Sequence, residues 1–210
     1  MFAMFIRIFF KIIKRIILAI ADIISWIITW IKLKLNGVEF NDFKSGGYPQ
    51  IAVSLKGKFS IGKNFIINNG RYYNIIGRQQ PCYIIVGPNA TLKIGNNVGI
   101  SCTAIICKSS IIIGDNVKIG GNTVIYDTDF HSLDVKSRTM IPEDTSSAIT
   151  KPVVIGANVF IGGHTTILKG VTIGENSIVG ACSVVIKNIP SNELWAGNPA
   201  KFIRKNNEAS

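Results

Sequence analysis

One of the chain's two histidines lies in a polar stretch that also carries acidic residues. His131 follows Asp129 by two residues and Asp127 by four. An imidazole suits proton transfer near neutral pH, and an acceptor bound to its second nitrogen fixes the tautomer of the ring. Asp129 is the favoured acceptor, with Asp127 or a backbone carbonyl as alternatives. Both acids could instead only order the loop or bind a substrate.

The sequence around this stretch repeats every six residues. Aliphatic residues recur at that interval at Ile155, Ile161, Ile167, Ile173, Val179 and Val185. A strand repeats every two residues and an α-helix every 3.6, so a period of six predicts a solenoid. Gly and Asn follow many of the aliphatic residues and tolerate the positive φ of tight turns. Three hexapeptides would form a triangular coil of about 18 residues, with coils about 4.8 Å apart.

The same register recurs more loosely from residue 61 onward, so residues 51–189 can form one prism. The polar stretch 126–150 interrupts it, and such a loop in a repeat array is usually functional because the stacking does not need it. The predicted organisation is a helix over 1–35, a linker and start of the solenoid over 36–54, and the solenoid over 55–190 with a catalytic loop at 126–150. Residues 191–210 form a C-terminal segment.

The first 35 residues are almost wholly apolar, with a narrow polar stripe at helical spacing. The stripe consists of Arg7, Lys11, Lys14, Asp22, Ser25, Thr29 and Lys32. We expect a helix that lies in the membrane interface, with Trp26 and Trp30 at its boundary. The alternatives are a spanning helix, a cleaved signal, or a helix that packs on the prism or on a neighbouring subunit.

The chain is basic, with a net charge of +11. Residues 1–35 hold six basic residues and Asp22, which gives +5 there and +6 in the remainder. No nucleic-acid-binding module is recognisable, so anionic lipid and a phosphorylated small molecule explain the charge better than nucleic acid does. The four cysteines lack CxxC spacing and are expected to be structural. Reduced thiols and the absence of a credible export signal predict a cytoplasmic prism at the inner face of the membrane.

Two motifs carry a resemblance to a known family. The sequences IGANVFIGGH at 155–164 and WAGNPAKFIR at 195–204, together with the repeat to Val185, resemble the hexapeptide-repeat acyltransferases. The chain is most similar to the serine, galactoside and maltose acetyltransferase group and to sugar O-acetyltransferases of bacterial surface-polysaccharide synthesis, over about residues 55–205. The resemblance implies an all-β, left-handed parallel β-helix, an exception to the usual right-handed crossover. It also implies a homotrimer with active sites between adjacent prisms, acetyl-CoA as co-substrate and no metal.

The resemblance also assigns roles to residues. His131 matches the family's catalytic histidine, whereas His164 is expected to be structural or to lie near the thioester channel. The cofactor positions correspond to Gly163, Ala181, Ile186, Lys187, Lys201 and Arg204. Gly163 and Ala181 would lie along the pantetheine arm, and the cations near the nucleotide phosphates. Ile186 replaces a threonine and Lys201 an arginine. A backbone N–H of Gly162 or Gly163 would stabilise the oxyanion.

The expected activity is acetyl-CoA-dependent O-acetylation of a sugar hydroxyl, in the biosynthesis of a bacterial surface polysaccharide or lipopolysaccharide. Amino-sugar N-acetylation on the same fold is the main alternative, and serine O-acetylation or a non-catalytic scaffold are others. A γ-class carbonic anhydrase would need three histidines, and the chain has two.

Overall fold

Three sheets enclose the core of the computed structural model, which describes residues 2–74, 76–77, 80–142 and 145–206. The chain winds through six coils, and each coil adds one strand to each of sheets A, B and C. Strands of successive coils pair in parallel. The result is the left-handed parallel β-helix that the sequence predicts, with a helix at its N-terminal end.

Sheets A and C contain six strands each, and sheet B contains eight. Sheet A holds β1 (Glu39–Phe40), β4 (Lys58–Ile61), β7 (Thr91–Ile94), β10 (Ser110–Ile113), β13 (Val153–Ile155) and β16 (Thr172–Ile173). Sheet B holds β2 (Phe43–Gly46), β5 (Phe65–Asn68), β8 (Gly99–Ser101), β11 (Lys118–Ile119), β14 (Phe160–Ile161), β17 (Ile178–Val179), β19 (Glu193–Ala196) and β20 (Lys201–Lys205). Sheet C holds β3 (Gln50–Val53), β6 (Tyr83–Val86), β9 (Ala104–Cys107), β12 (Val124–Tyr126), β15 (Thr166–Ile167) and β18 (Val184–Val185).

The six-residue register fills the interior of the prism. The aliphatic residues that define the period, from Ile155 to Val185, are each at most 1% exposed. They stack on equivalent residues of neighbouring coils, as where Ile113 pairs with both Ile94 and Ile155. Burial of each such side chain contributes about 1.5–3 kcal/mol, so the ladders supply most of the stability of the prism.

The edge between sheets A and B, the AB edge, is a continuous ladder of asparagines. Its members are Asn64, Asn97, Asn116, Asn158, Asn176 and Asn192, with φ between 55° and 61°. Each Nδ2 donates to the Oδ1 of the asparagine on the next coil at 2.9 Å. Asparagine tolerates the left-handed conformation, and its side-chain amide can hydrogen-bond to the amide of another asparagine. These two properties explain its recurrence at this turn.

Two insertions leave the coils at the other edges. Residues 69–82 leave the BC edge, between sheets B and C, and include the short helix α2 (Gly70–Tyr73). Residues 127–152 leave the CA edge, between sheets C and A. This second insertion contains α3 (Val135–Thr139) and a 3₁₀ turn (Thr145–Ser147), and is the interruption that the sequence predicts to be catalytic.

The N-terminal helix α1 (Phe2–Leu35) covers the first coil with its C-terminal half. Ser25, Thr29 and Leu33 are at most 2% exposed. Thr29 Oγ1 lies 2.8 Å from Ser45 Oγ, and Ser25 Oγ accepts a hydrogen bond from the Gly47 N–H at 3.1 Å. Part of the predicted polar stripe therefore contacts the prism rather than solvent, as the packing alternative anticipated.

The N-terminal half of α1 projects beyond the prism. Its large apolar side chains are all exposed, among them Phe5, Phe9, Ile12 and Ile16. The helix is long and apolar enough, over Met4–Leu35, to cross a membrane by length and composition alone.

Replacing Asn158 by Ala is expected to destabilise the prism by about 1–2 kcal/mol, because alanine is strained at φ 60° and the ladder is broken. Asn158→Gly breaks the same hydrogen bonds without the backbone strain and should cost less. Urea unfolding of both variants measures the difference. An equal loss of stability would show that the turn conformation contributes nothing.

Candidate functional site

An antiparallel stem holds the catalytic loop against the prism. Thr128 forms a bridge with Thr150. The Asp129 N–H donates to the Ile149 carbonyl at 3.1 Å, and the Lys151 N–H donates to the Asp127 carbonyl at 2.9 Å. The stem gives the residues before His131 a fixed backbone path.

Asp127 fastens this stem to the preceding coil. Its carboxylate is fully buried and accepts hydrogen bonds from the N–H groups of Lys108 and Ser109, each at 2.7 Å. Both amides belong to the CA-edge turn between β9 and β10. Since each carboxylate oxygen binds a backbone amide, Asp127 orders the base of the loop.

Asp129 fastens the stem to the following coil. Its Oδ1 lies 2.6 Å from Nζ of Lys169, in the turn between β15 and β16. Its Oδ2 is buried and has no hydrogen-bond partner within the described ranges. His131 is exposed at the start of the loop tip, and its backbone N–H donates to the Asp129 carbonyl at 2.8 Å. The role of Asp129 in orienting the imidazole remains a prediction.

Four of the six predicted cofactor residues fall on two edges of one prism. Gly163 and Ala181 lie on the BC edge, whereas Ile186 and Lys187 lie on the CA edge that also carries His131. A side of about six residues, at about 3.3 Å each, separates these edges by roughly 15–20 Å. One chain therefore brings His131, Asp129, Ile186 and Lys187 to a shared edge and leaves Gly163 and Ala181 at another.

The Gly162–Gly163 turn is tightly packed between coils. A Cβ on Gly163 would lie 2.9 Å from the Gly121 carbonyl oxygen, so a side chain fits there only if the turn shifts. The Gly162 N–H already donates to the Val179 carbonyl at 2.8 Å. Of the two predicted oxyanion donors, Gly162 is thus committed to strand pairing, and Gly163 is the remaining candidate.

His164 occupies a BC-edge turn. Its φ is 60° and its N–H donates to the Gly121 carbonyl at 2.8 Å. Nε2 is buried and finds no hydrogen-bond partner in the part of the chain that the structure describes. This turn position fits a structural role for the second histidine.

The C-terminal hairpin presents Lys201 and Arg204 to solvent. Strand β20 pairs antiparallel with β19 on sheet B, and both cationic side chains are exposed. The Trp195 indole N–H donates to Glu193 at 2.7 Å, and its ring packs edge-on against Phe202. Trp195 therefore fastens the segment that carries the predicted phosphate-binding cations.

The cysteines contribute no reactive thiol to the core. All four are free, and Cys82, Cys102 and Cys107 are buried. Burial raises the pKa of Cys82 to about 12, and burial followed by the charge of Asp127 raises the pKa of Cys107 to about 12. Among the described residues, no group of three or more His, Cys, Asp and Glu side chains could hold a metal ion.

Sequence reasoning missed Lys169 and Lys108. Neither lysine breaks the six-residue period, so the period alone does not identify them. Their place in the coils could have done so. Lys108 and Lys169 follow strands β9 and β15, which flank β12 in sheet C, and Asp127 follows β12.

Comparisons with known proteins agree with this architecture. Residues 152–187 match the family described as "Bacterial transferase hexapeptide (six repeats)". Over 154 residues the chain is 32% identical to the "Putative lipopolysaccharide biosynthesis O-acetyl transferase WbbJ" of Escherichia coli K12, covering 72% of this chain and 74% of that protein. The chain belongs to the hexapeptide-repeat acyltransferase family. It is also 37% identical to the E. coli K12 galactoside O-acetyltransferase over 131 residues, covering 62% of this chain and 61% of that enzyme.

A solved structure of a hexapeptide-repeat acetyltransferase contains the predicted co-substrate, acetyl-CoA. The Vibrio cholerae O1 biovar eltor acetyltransferase VCA0836, complexed with acetyl-CoA, has a TM-score of 0.56 and 28% identity, over 86% of this chain and 76% of that chain. The predicted family and fold are confirmed. The predicted acyltransferase class, with acetyl-CoA as co-substrate, is confirmed as that of the family. The chain spans 43% to 74% of the lengths of four curated relatives that it matches.

Replacing Asp127 by Ala is expected to loosen the base of the loop, because the backbone N–H groups of Lys108 and Ser109 lose a charged acceptor at about 1.5–3 kcal/mol each. Amide hydrogen exchange at Lys108 and Ser109 should rise by at least tenfold. Asp134→Ala is the matched control, since Asp134 also accepts a backbone N–H, from Ser137 at 2.8 Å, but at the exposed start of α3. Unchanged exchange at Lys108 and Ser109 in Asp127→Ala would contradict the anchoring role.

Proposed function

We propose that this chain is an acetyl-CoA-dependent O-acetyltransferase that acts on a sugar hydroxyl, in the synthesis of a bacterial surface polysaccharide or lipopolysaccharide. The observation that carries the proposal is an exposed His131 on a loop anchored to the coils on both sides of it. The similarity to two proteins whose names describe O-acetyl transfer supports the oxygen acceptor.

His131 acts as the general base of the reaction. Its imidazole takes the proton of the acceptor hydroxyl as the oxygen attacks the thioester carbonyl carbon. The tetrahedral oxyanion is stabilised by a backbone N–H, for which Gly163 is the candidate. When the intermediate collapses, the carbon–sulfur bond breaks and the imidazolium returns its proton to the CoA sulfur. Direct transfer of this kind requires no covalent enzyme intermediate.

The predicted CoA residues fit their roles. Ala181 is exposed and Gly163 half-buried on the BC edge, so these two positions present no bulky side chain to the pantetheine arm. Lys187, Lys201 and Arg204 are all exposed and can meet the phosphates of CoA. Lys169 holds Asp129 in place beside His131 rather than contacting substrate.

The division of the site between two edges supports a homotrimer. Because His131 and Gly163 lie roughly 15–20 Å apart across sheet C, one active site can use both only if they come from different protomers. Pairing the CA edge of one prism with the BC edge of the next is a head-to-tail contact, which forms a ring when the rotation between protomers closes, and a threefold rotation gives a trimer. Sedimentation equilibrium should therefore give three times the chain mass of 22.9 kDa, and a monomer would rule out the shared site.

His131→Ala is expected to lower acetyl transfer by at least a thousandfold, because no other described side chain in the loop tip replaces the imidazole. His164→Ala is the matched control and should retain most of the activity. Release of CoA thiol, measured with sugars, nucleotide sugars and lipid-linked sugars as acceptors, follows the reaction. Normal turnover by His131→Ala would overturn the mechanism.

The same acceptor panel separates the alternative functions. Faster release of CoA with an amino sugar than with its hydroxyl counterpart would favour N-acetylation, and release with serine would favour serine O-acetylation. Failure to bind acetyl-CoA or to release CoA with any acceptor would favour a non-catalytic scaffold.

We further propose that α1 binds the inner face of the membrane. Its large apolar side chains from Met4 to Ile20 are exposed, and Arg7, Lys11, Lys14 and Arg15 lie on the same projecting half. Exposed apolar and basic groups together match an anionic lipid surface, where each basic residue contributes about 1 kcal/mol. The contacts of Ser25 and Thr29 would then attach the prism to the membrane-bound half.

Removal of residues 2–19 is expected to release the protein from vesicles that contain anionic lipid, while the cap formed by Ser25, Thr29 and Leu33 stays on the prism. Co-sedimentation with these vesicles measures the loss, and replacement of the four basic residues by glutamine should weaken binding to anionic but not to neutral vesicles. Unchanged partitioning of the truncated chain would exclude α1 as the anchor.

A further inference from the structure

A polar cavity of about 390 Å³ lies beneath the stem of the catalytic loop. It opens between the stem and the CA-edge turn of the preceding coil. The residues that characterise it are Lys108, Thr128, Phe130, Thr145, Ser146 and Thr150. Its size falls at the lower end of the range of small-molecule sites, as expected for one sugar unit rather than for a long chain.

The position of the cavity relates it to the reaction. Phe130 directly precedes His131, and its ring packs edge-on against Tyr126 with centroids 5.0 Å apart. The ring is 40% exposed, so it is held by one neighbour and still presents a surface to a ligand. An aromatic face with hydroxyl groups around it suits the apolar and polar sides of a sugar ring.

Lys108 gives the cavity its charge. Its backbone N–H is fixed by Asp127, while its side chain is exposed and makes no ion pair with any residue in the described ranges. The carboxylate of Asp127 is already bound at both oxygens by backbone amides. The described lining contains no carboxylate, so the ammonium group is the one formal charge that it contributes.

We propose that this cavity binds the acceptor and that the acceptor is an anionic sugar, with its carboxylate or phosphate on Lys108. The inference rests on the proposed function, since it names the class of sugar that the same site would acetylate. A charge-assisted hydrogen bond from the ammonium would strengthen binding, and Phe130 and the threonine hydroxyls would position the ring beside His131.

The test compares three galactose-based probes: neutral galactose, galacturonate with a carboxylate at C6, and galactose 1-phosphate with a phosphate at C1. Isothermal titration of the full chain should show at least tenfold tighter binding of one or both anionic sugars than of galactose. The two anionic probes distinguish a carboxylate from a phosphate. Equal binding of all three sugars would overturn the proposal.

Variants assign the effect to the cavity. Lys108→Met should remove the preference for the charged sugar, and Lys108→Arg should keep it. Lys93→Met is the matched control, because Lys93 is an exposed lysine on β7 outside the cavity. Equal effects of Lys108→Met and Lys93→Met would also overturn the proposal. Since binding is measured without acetyl-CoA, anionic preference without CoA release by any sugar would contradict the proposed function and the acceptor role, and would leave only the binding site for an anionic sugar.

Discussion

The stacking of coils in register is the constraint on which every other part of the molecule depends. Each interior position must hold an aliphatic side chain, because it faces equivalent residues of the coils above and below. Each turn must redirect the chain from one sheet to the next within a few residues, without breaking the contacts between neighbouring coils. The turns at the AB edge meet this requirement with asparagines at positive φ whose side chains bond from coil to coil. The prism is therefore rigid in the places where the sequence is most regular.

A rigid stack can hold a functional loop only by attaching it from outside the core. The loop after β12 is attached by two acidic residues that bind the coils on opposite sides of it. Asp127 binds the turn of the coil before it, and Asp129 binds Lys169 in the coil after it. Because the two attachments lie on the coils on either side of the loop, the stem between them takes its position from the stack itself. His131 comes immediately after this doubly anchored segment, which explains how an irregular loop can hold the proposed general base in one place.

The regular part of this architecture was predictable, and the attachments were not. The period of six identified the buried residues because it reflects stacking that repeats in every coil, as the burial of Ile161 and Val179 confirms. The loop was recognisable as a break in that period. The partners of Asp127 lie 19 and 18 residues earlier, and the pairing is set by the height of one coil rather than by any local motif. For Ser25 and Thr29 the sequence left the binding partner open for a related reason. The polarity of a helix residue does not say whether its partner is water or protein.

The two ends of the stack show how the fold limits where partners can bind. A parallel β-helix exposes unpaired backbone groups at its first and last coils, and such edges invite association with other strands. Here α1 lies over the first coil through contacts of Ser25 and Thr29, and the antiparallel strand β20 follows the last coil on sheet B. Coverage of both ends directs association to the side faces and edges of the prism. Those are the surfaces that carry the predicted catalytic loop on one edge and the small residues Gly163 and Ala181 on the next, so the protection of the ends favours the same arrangement as the proposed sharing of a site between protomers.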